Sequence, residues 1–127
     1  MIMIIGGAWQ GKTAFAGTLT GLAPDKWTDG LTCDREALFS CEGILHFHEY
    51  VRRALREGWD LSGLLERLMA ENPGIVIVTN ELGYGIVPMD PEERSWREAD
   101  GRLFALLAAE ASEVWRVICG IGQKIKG

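Results

Sequence analysis

Gly6-Gly7-Ala8-Trp9-Gln10-Gly11-Lys12-Thr13 is the stretch whose reading decides the fold. It satisfies G-x-x-x-x-G-K-[ST] at every fixed position, the pattern of a phosphate-binding loop. The glycines let the backbone curl until successive N–H groups converge on phosphate oxygens. A helix beginning at the end of the loop adds the positive end of its dipole. On this reading all eight residues, Gly6, Gly7, Ala8, Trp9, Gln10, Gly11, Lys12 and Thr13, contact a nucleoside triphosphate, ATP or GTP. Lys12 reaches the β and γ phosphates, and the Thr13 hydroxyl helps to hold Mg²⁺.

The flanks agree with this reading. Met1 to Ile5 is a continuous apolar run, as expected of a strand buried on both faces of a parallel sheet. Lys12 to Leu22 carries Ala14, Phe15, Leu19 and Leu22 at helical spacing and stops at Pro24. Further along, Asp25 to Glu36 reads as loop and Ala37 to Ser40 as a short second strand. Gly43 to Glu57 has helical periodicity, and Asp60 is a candidate N-cap for a helix over Leu61 to Glu71. Ile75 to Thr79 is a β-branched core strand, Asn80 to Arg94 a loop, Ser95 to Ala111 a helix and Glu113 to Cys119 the last strand. Alternating strands and helices imply an α/β architecture with a largely parallel sheet. The length of 127 residues suits one domain, 1–127.

Composition narrows the function classes. The net charge is -5 and the basic residues are scattered, which argues against a nucleic-acid surface. Three cysteines without a CxxC pair argue against a disulfide framework or a zinc site. The apolar N-terminal run is too short for a signal peptide or a membrane span, so a cytoplasmic location is expected. The stripe Leu61, Leu64, Leu65, Leu68 reads as packing, and Arg52, Arg53, Arg56, Glu57 as a solvated helix face. Trp9 has three open readings: stacking on a base, contact with a neighbouring chain, or cover for the loop.

A second anchor follows the strand at Ile75. In Thr79-Asn80-Glu81-Leu82-Gly83-Tyr84-Gly85-Ile86-Val87-Pro88, two glycines and a proline shape a loop at the sheet edge where α/β proteins bind ligands. Glu81 is placed there as a metal partner, a hydrogen-bond acceptor for substrate, a general base, or a solvated turn carboxylate. This loop resembles the signature of the adenosylcobinamide kinase/adenosylcobinamide-phosphate guanylyltransferase family. The N-terminal phosphate loop, the stretch Arg94 to Arg102 and the stretch Glu113 to Lys126 are similar to further motifs of that family, in the same order.

The resemblance implies a P-loop NTPase (RecA-like) three-layer sandwich with a mainly parallel central sheet, assembled as a homo-oligomer, a trimer in described members. It also implies nucleotide-dependent phosphorylation of a corrinoid alcohol, then guanylyl transfer through a histidine. Carried onto this chain, the substrate side comprises Asn80, Glu81, Gly83, Arg94, Arg97 and Arg102, with Lys12 and Glu81 as catalytic residues and Thr13 toward the metal.

Three departures bear on this. The segment that carries the family's guanylylated histidine is missing between the first helix and about Trp27. The remaining histidines, His46 and His48, are each a candidate replacement nucleophile, but they are two apart on an expected helix and so point to different faces, which favours one at the surface and one packed. Where the family has an aspartate for Mg²⁺, Ser40-Cys41 follows Ala37 to Phe39, leaving Glu42, Asp29 and Asp34 as candidate substitutes. After Gly101-Arg102-Leu103 the family's amide pair is replaced by Phe104-Ala105. The expectation is therefore a kinase-like nucleotide-binding protein of cobalamin biosynthesis. A degenerate binding module and an unrelated small P-loop kinase or NTPase are its rivals.

Overall fold

A computed structural model of the chain describes residues 1–81 and 90–127. The strands are β1 (Ile2–Gly6), β2 (Trp27–Asp29), β3 (Gly43–Leu45), β4 (Val76–Asn80), β5 (Glu113–Ile118) and β6 (Ile121–Lys126). The helices are α1 (Lys12–Thr20), α2 (Phe47–Glu57), α3 (Leu64–Glu71) and α4 (Pro91–Glu110), with short 3₁₀ turns at Pro24–Lys26 and Arg35–Phe39. The sheet order is β2-β3-β4-β1-β5-β6, parallel except for the antiparallel β5–β6 pair.

Alternation along the strands divides the core into two layers. Ile4, Val76, Val78 and Val117 face α1 through Ala16, Phe15 and Leu19. Met3, Ile75, Ile77 and Val114 face the other way, toward Phe47, Tyr50 and Val51 of α2, Leu64 and Leu68 of α3, and Leu103 and Leu107 of α4. The result is the expected three-layer α/β sandwich, and the leucine stripe near α3 does pack into it. β1 lies between β4 and β5, so the chain leaves it toward one side of the sheet and later returns on the other. The C-terminal end of such a strand opens a crevice, and the glycine loop follows it directly.

Several local expectations are corrected. Ala37 to Ser40 is not a strand: Arg35–Phe39 is a 3₁₀ turn with Leu38 fully buried. The Asn72 amide donates to the carbonyls of Leu38 and Cys41 at 3.0 and 2.8 Å, satisfying groups that a sheet would otherwise pair. The second strand is Trp27–Asp29, inside the expected loop, and it pairs with Gly43–Leu45, which was expected to be helical. The Gly43 Cα lies so near the Trp27 ring that a Cβ there would sit 2.5 Å from it. Only three residues of each strand pair, too few to produce a periodic signal.

Asp60 accepts from the Ser62 backbone and hydroxyl at 2.9 and 2.7 Å, closing a turn, and the helix starts later, at Leu64. α4 starts earlier than expected, capped by the Asp90 carboxylate, which accepts from the Glu92 N–H, with Pro91 in the first turn. The last strand is β6. It is reached through Cys119 and Gly120, both at positive φ (51° and 76°), a two-residue turn whose usual sequence is Asn-Gly.

Candidate functional site

The phosphate loop is held from three sides. Gly6 approaches β5 so closely that a Cβ would lie 2.6 Å from the Val117 carbonyl oxygen. The Gly6 carbonyl accepts from the Glu81 N–H at 2.8 Å, which ties the loop to the end of β4. Gln10 binds the β5–β6 turn twice: its side-chain oxygen accepts from the Cys119 N–H and its carbonyl from the Gly120 N–H, each at 2.7 Å. Gly11 enters α1 at φ 82°. The first amides of α1 have no acceptor within the helix and are available to an anion.

Lys12 is buried, and its ammonium donates to the Gly7 carbonyl at 2.6 Å. Burial lowers its pKa, and the nearby Glu81 carboxylate opposes that shift. Trp9 is fully exposed at φ 63°.

The loop forms one wall of a cavity of about 300 Å³. Ala8 to Ala14 line it on one side, and Leu45, His46, His48, Val78, Thr79 and Asn80 on the other. Both histidines therefore meet the ligand crevice, although they are two residues apart. One is at the surface and one packed, as expected, but not for the expected reason: His46 is not in the helix but is the N-cap of α2 in the left-handed conformation, φ 55°.

The hydrogen bonds of the two rings differ. His46 Nδ1 lies 2.9 Å from Asp29 Oδ1. Partial burial raises the Asp29 pKa, but hydrogen bonds from the Leu31 N–H and from His46 outweigh it and hold the carboxyl below its usual range. An ionised carboxylate only accepts, so Nδ1 is the donor of this pair, and in the neutral ring that leaves Nε2 as the acceptor. His48 is nearly buried, and its Nδ1 accepts from the Asn80 N–H at 3.0 Å. That lone pair is consumed, and Nε2 stands 3.9 Å from Glu49 Oε1. Burial, helped by His46 and Lys12, drives the His48 pKa down to about 4, so the ring is neutral and fixes the end of β4 against α2.

The other sequence candidates separate. Asn80 lines the cavity, whereas Glu81, near Lys12, does not line it and is held in an ion pair, Arg116 Nε to Oε1 at 3.0 Å. That contact is an electrostatic pairing and lacks the alignment of a hydrogen bond. Arg94, Arg97 and Arg102 lie on α4 and do not line the described cavity; Gly83 lies outside the described residues.

Among the carboxylates proposed to replace the missing aspartate, Glu42 pairs with Lys26 at 3.8 Å, Asp34 precedes the 3₁₀ turn and Asp29 holds His46. The aspartate position itself was sought after a strand that does not exist. The strand ends that reach the crevice are Leu45-His46 and Thr79-Asn80. The expected solvated face of α2 is also revised: Arg53 donates to the Gly30 and Cys33 carbonyls at 2.9 and 2.8 Å, and Arg52 lies 4.5 Å over the Trp96 ring. No group of three or more potential metal-ligating side chains occurs among the described residues, and none of their helices is long and apolar enough to cross a membrane.

Comparison with known proteins agrees with this architecture. The sequence profile of the family described as cobinamide kinase / cobinamide phosphate guanyltransferase matches residues 34–125. Two similar curated proteins, from Escherichia coli (strain K12) and Salmonella typhimurium (strain LT2), are both described as bifunctional adenosylcobalamin biosynthesis protein CobU. Each is 54% identical over 52 residues, 41% of this chain. The match spans 29% of the length of each relative. With its glycine loop at the switch point of a parallel sheet and a profile match across most of its length, the chain belongs to the cobinamide kinase / cobinamide phosphate guanyltransferase family.

Proposed function

We propose that this protein binds ATP or GTP at the Gly6–Thr13 loop and transfers the terminal phosphoryl group to the hydroxyl of a corrinoid such as adenosylcobinamide. The observation that carries this reading is the cavity shared by the glycine loop, with Lys12 within it, and the ends of β3 and β4. Lys12 exchanges the Gly7 carbonyl for phosphate oxygens, and the added negative charge offsets the desolvation that lowers its pKa. The loop amides orient the phosphates, so positioning and electrostatics do most of the work.

The residues present suit Mg²⁺ in one respect: Thr13, whose hydroxyl can ligate a hard cation, lines the cavity. A Mg²⁺ ion held there by Thr13 would supply charge neutralisation for the transferred phosphoryl group. Asn80 at the cavity wall suits the acceptor side, and Glu81 serves by keeping Arg116 and the end of β4 in place. The rows of arginines on α4 and the Gly83 loop remain the family-based candidates for corrinoid contacts. A homo-oligomer belongs to this reading, and exposed Ile118, Ile121 and Ile125 on the β5–β6 hairpin supply apolar surface for it.

The test is incubation of the purified chain with Mg²⁺ and ATP or GTP plus adenosylcobinamide, with phosphorylated corrinoid as readout. Lys12→Ala is expected to abolish product and to lose nucleotide binding by calorimetry; undiminished affinity in that variant refutes the loop assignment. One observation favours a second reading, a nucleotide-binding module without turnover: no carboxylate lines the described cavity. Nucleotide binding without any phosphorylated corrinoid would select it. Guanylyl transfer is not part of the proposal, and an acid-labile GMP adduct on the protein would require its addition.

A further inference from the structure

We infer that His46 is the general base of this site and that Asp29 is the residue that positions it, a reading that rests on the phosphoryl-transfer function proposed above. Four independent features build the arrangement. First, His46 holds a left-handed backbone conformation at φ 55°, a local cost that persists only where the surroundings enforce it. Second, Gly30 is packed against that backbone: its N–H donates to the Leu45 carbonyl at 2.7 Å, and a Cβ on it would lie 2.5 Å from the His46 carbonyl oxygen. This close approach brings Asp29 Oδ1 to 2.9 Å from His46 Nδ1.

Third, the Asp29 side chain is itself locked by the Leu31 N–H at 2.9 Å, and the loop after it by the two Arg53 hydrogen bonds. Fourth, the imidazole is half-exposed and lines the same crevice as Lys12 and Thr13, and in the neutral ring the nitrogen not bound to Asp29 is the acceptor. A base held in one tautomer by a carboxylate, with its other nitrogen at a solvent-accessible cavity, is the arrangement that activates a hydroxyl. Neither His48 nor Glu81 offers it, because the His48 Nδ1 lone pair is bound to the Asn80 N–H and the Glu81 carboxylate is ion-paired.

In the step, the acceptor hydroxyl gives its proton to His46 Nε2 as its oxygen forms a bond to the γ-phosphorus. The bond from that phosphorus to the β–γ bridging oxygen breaks, and the nucleoside diphosphate leaves with the bonding electrons. Asp29 keeps its negative charge and stabilises the imidazolium that forms. Charged or titratable groups around the ring are Asp29 from β2, His48 from α2 and Lys12 from α1, with Arg53 behind Asp29.

The test compares wild type, His46→Asn and Asp29→Asn in steady-state phosphorylation of adenosylcobinamide, with nucleotide affinity measured separately by calorimetry. Asparagine tolerates the left-handed conformation, so His46→Asn preserves the turn. We expect kcat to fall by about 10²–10⁴-fold in His46→Asn with nucleotide Kd unchanged. Asp29→Asn should lower kcat while leaving nucleotide Kd unchanged, and long-range ¹H–¹⁵N NMR should show the His46 proton moving from Nδ1 to Nε2. A His46→Asn enzyme that retains wild-type kcat overturns the inference and leaves the kinase reading standing. A wild-type chain that binds nucleotide but phosphorylates no corrinoid overturns the kinase reading and this role with it.

Discussion

Replacing Asp100 by asparagine should stabilise the protein at alkaline pH and make almost no difference at acid pH. Asp100 sits on α4 with its side chain wholly buried, and neither carboxylate oxygen has a hydrogen-bond partner among the described residues. Burial, with a smaller push from the Glu49 carboxylate, raises its pKa from 3.8 to about 7. The folded state therefore holds this proton more tightly than the unfolded chain. The cost of ionising it is absent below pH 3.8, grows through the window up to about 7 and is complete above it. At about 1.4 kcal/mol per pKa unit, that shift corresponds to about 4 kcal/mol lost from stability at pH 8.

His48 works in the opposite sense. Its pKa is depressed from 6.5 to about 4, so the unfolded chain binds more protons in that window and stability rises with pH by about 3 kcal/mol. The two trends offset each other in the wild type, and only the difference between wild type and Asp100→Asn isolates the carboxylate. Asparagine keeps the shape and leaves a neutral polar group unpaired, much as the protonated acid does. Urea unfolding followed by tryptophan fluorescence should show the midpoint gap widening from near zero at pH 4 to about 2 M at pH 8, for a urea slope of about 2 kcal/mol/M. A gap that stays constant across this range, within about 0.5 kcal/mol, refutes the assignment of an ionisable, uncompensated Asp100.

Two further outcomes follow from the packing. Gly6→Ala should cost about 1–3 kcal/mol and abolish nucleotide binding, because the added carbon meets the Val117 carbonyl at 2.6 Å; thermal unfolding and calorimetry measure the two losses. Arg53→Lys should cost about 1–3 kcal/mol despite keeping the charge, since one ammonium cannot reproduce the planar fork that reaches both Gly30 and Cys33; chemical denaturation checks it.

How much was legible in the sequence depended on the range of the interactions involved. The glycine loop, the strand before it and the helix after it were readable because that motif is local: backbone conformation, dipole and charge are specified within a dozen residues. The strand at Ile75, the helix beyond Pro91 and the alternation of strands and helices were readable from apolar runs and periodicity, which report burial directly, whereas the three layers came from the family resemblance. Asp29–His46 was not, because its two halves are 17 residues apart and meet only through the three-residue pairing of β2 with β3. The same short pairing hid both strands and led the metal carboxylate to be sought after Phe39, where the chain makes a 3₁₀ turn. Glu81 and Arg116 likewise found each other only when β5 was laid beside β1.

The sequence by itself therefore determined that a phosphate cradle joins a buried strand to a helix in an α/β chain, since each element there is specified by its own neighbours. Only the tertiary structure decided what faces that cradle. Strand order brings the ends of β3 and β4 to it, so His46 and Asn80 border the cavity while Glu81 and the α4 arginines do not line it. The physical reason is that parallel neighbours are set by long crossovers, which bring together residues whose separation in the chain carries no local signal.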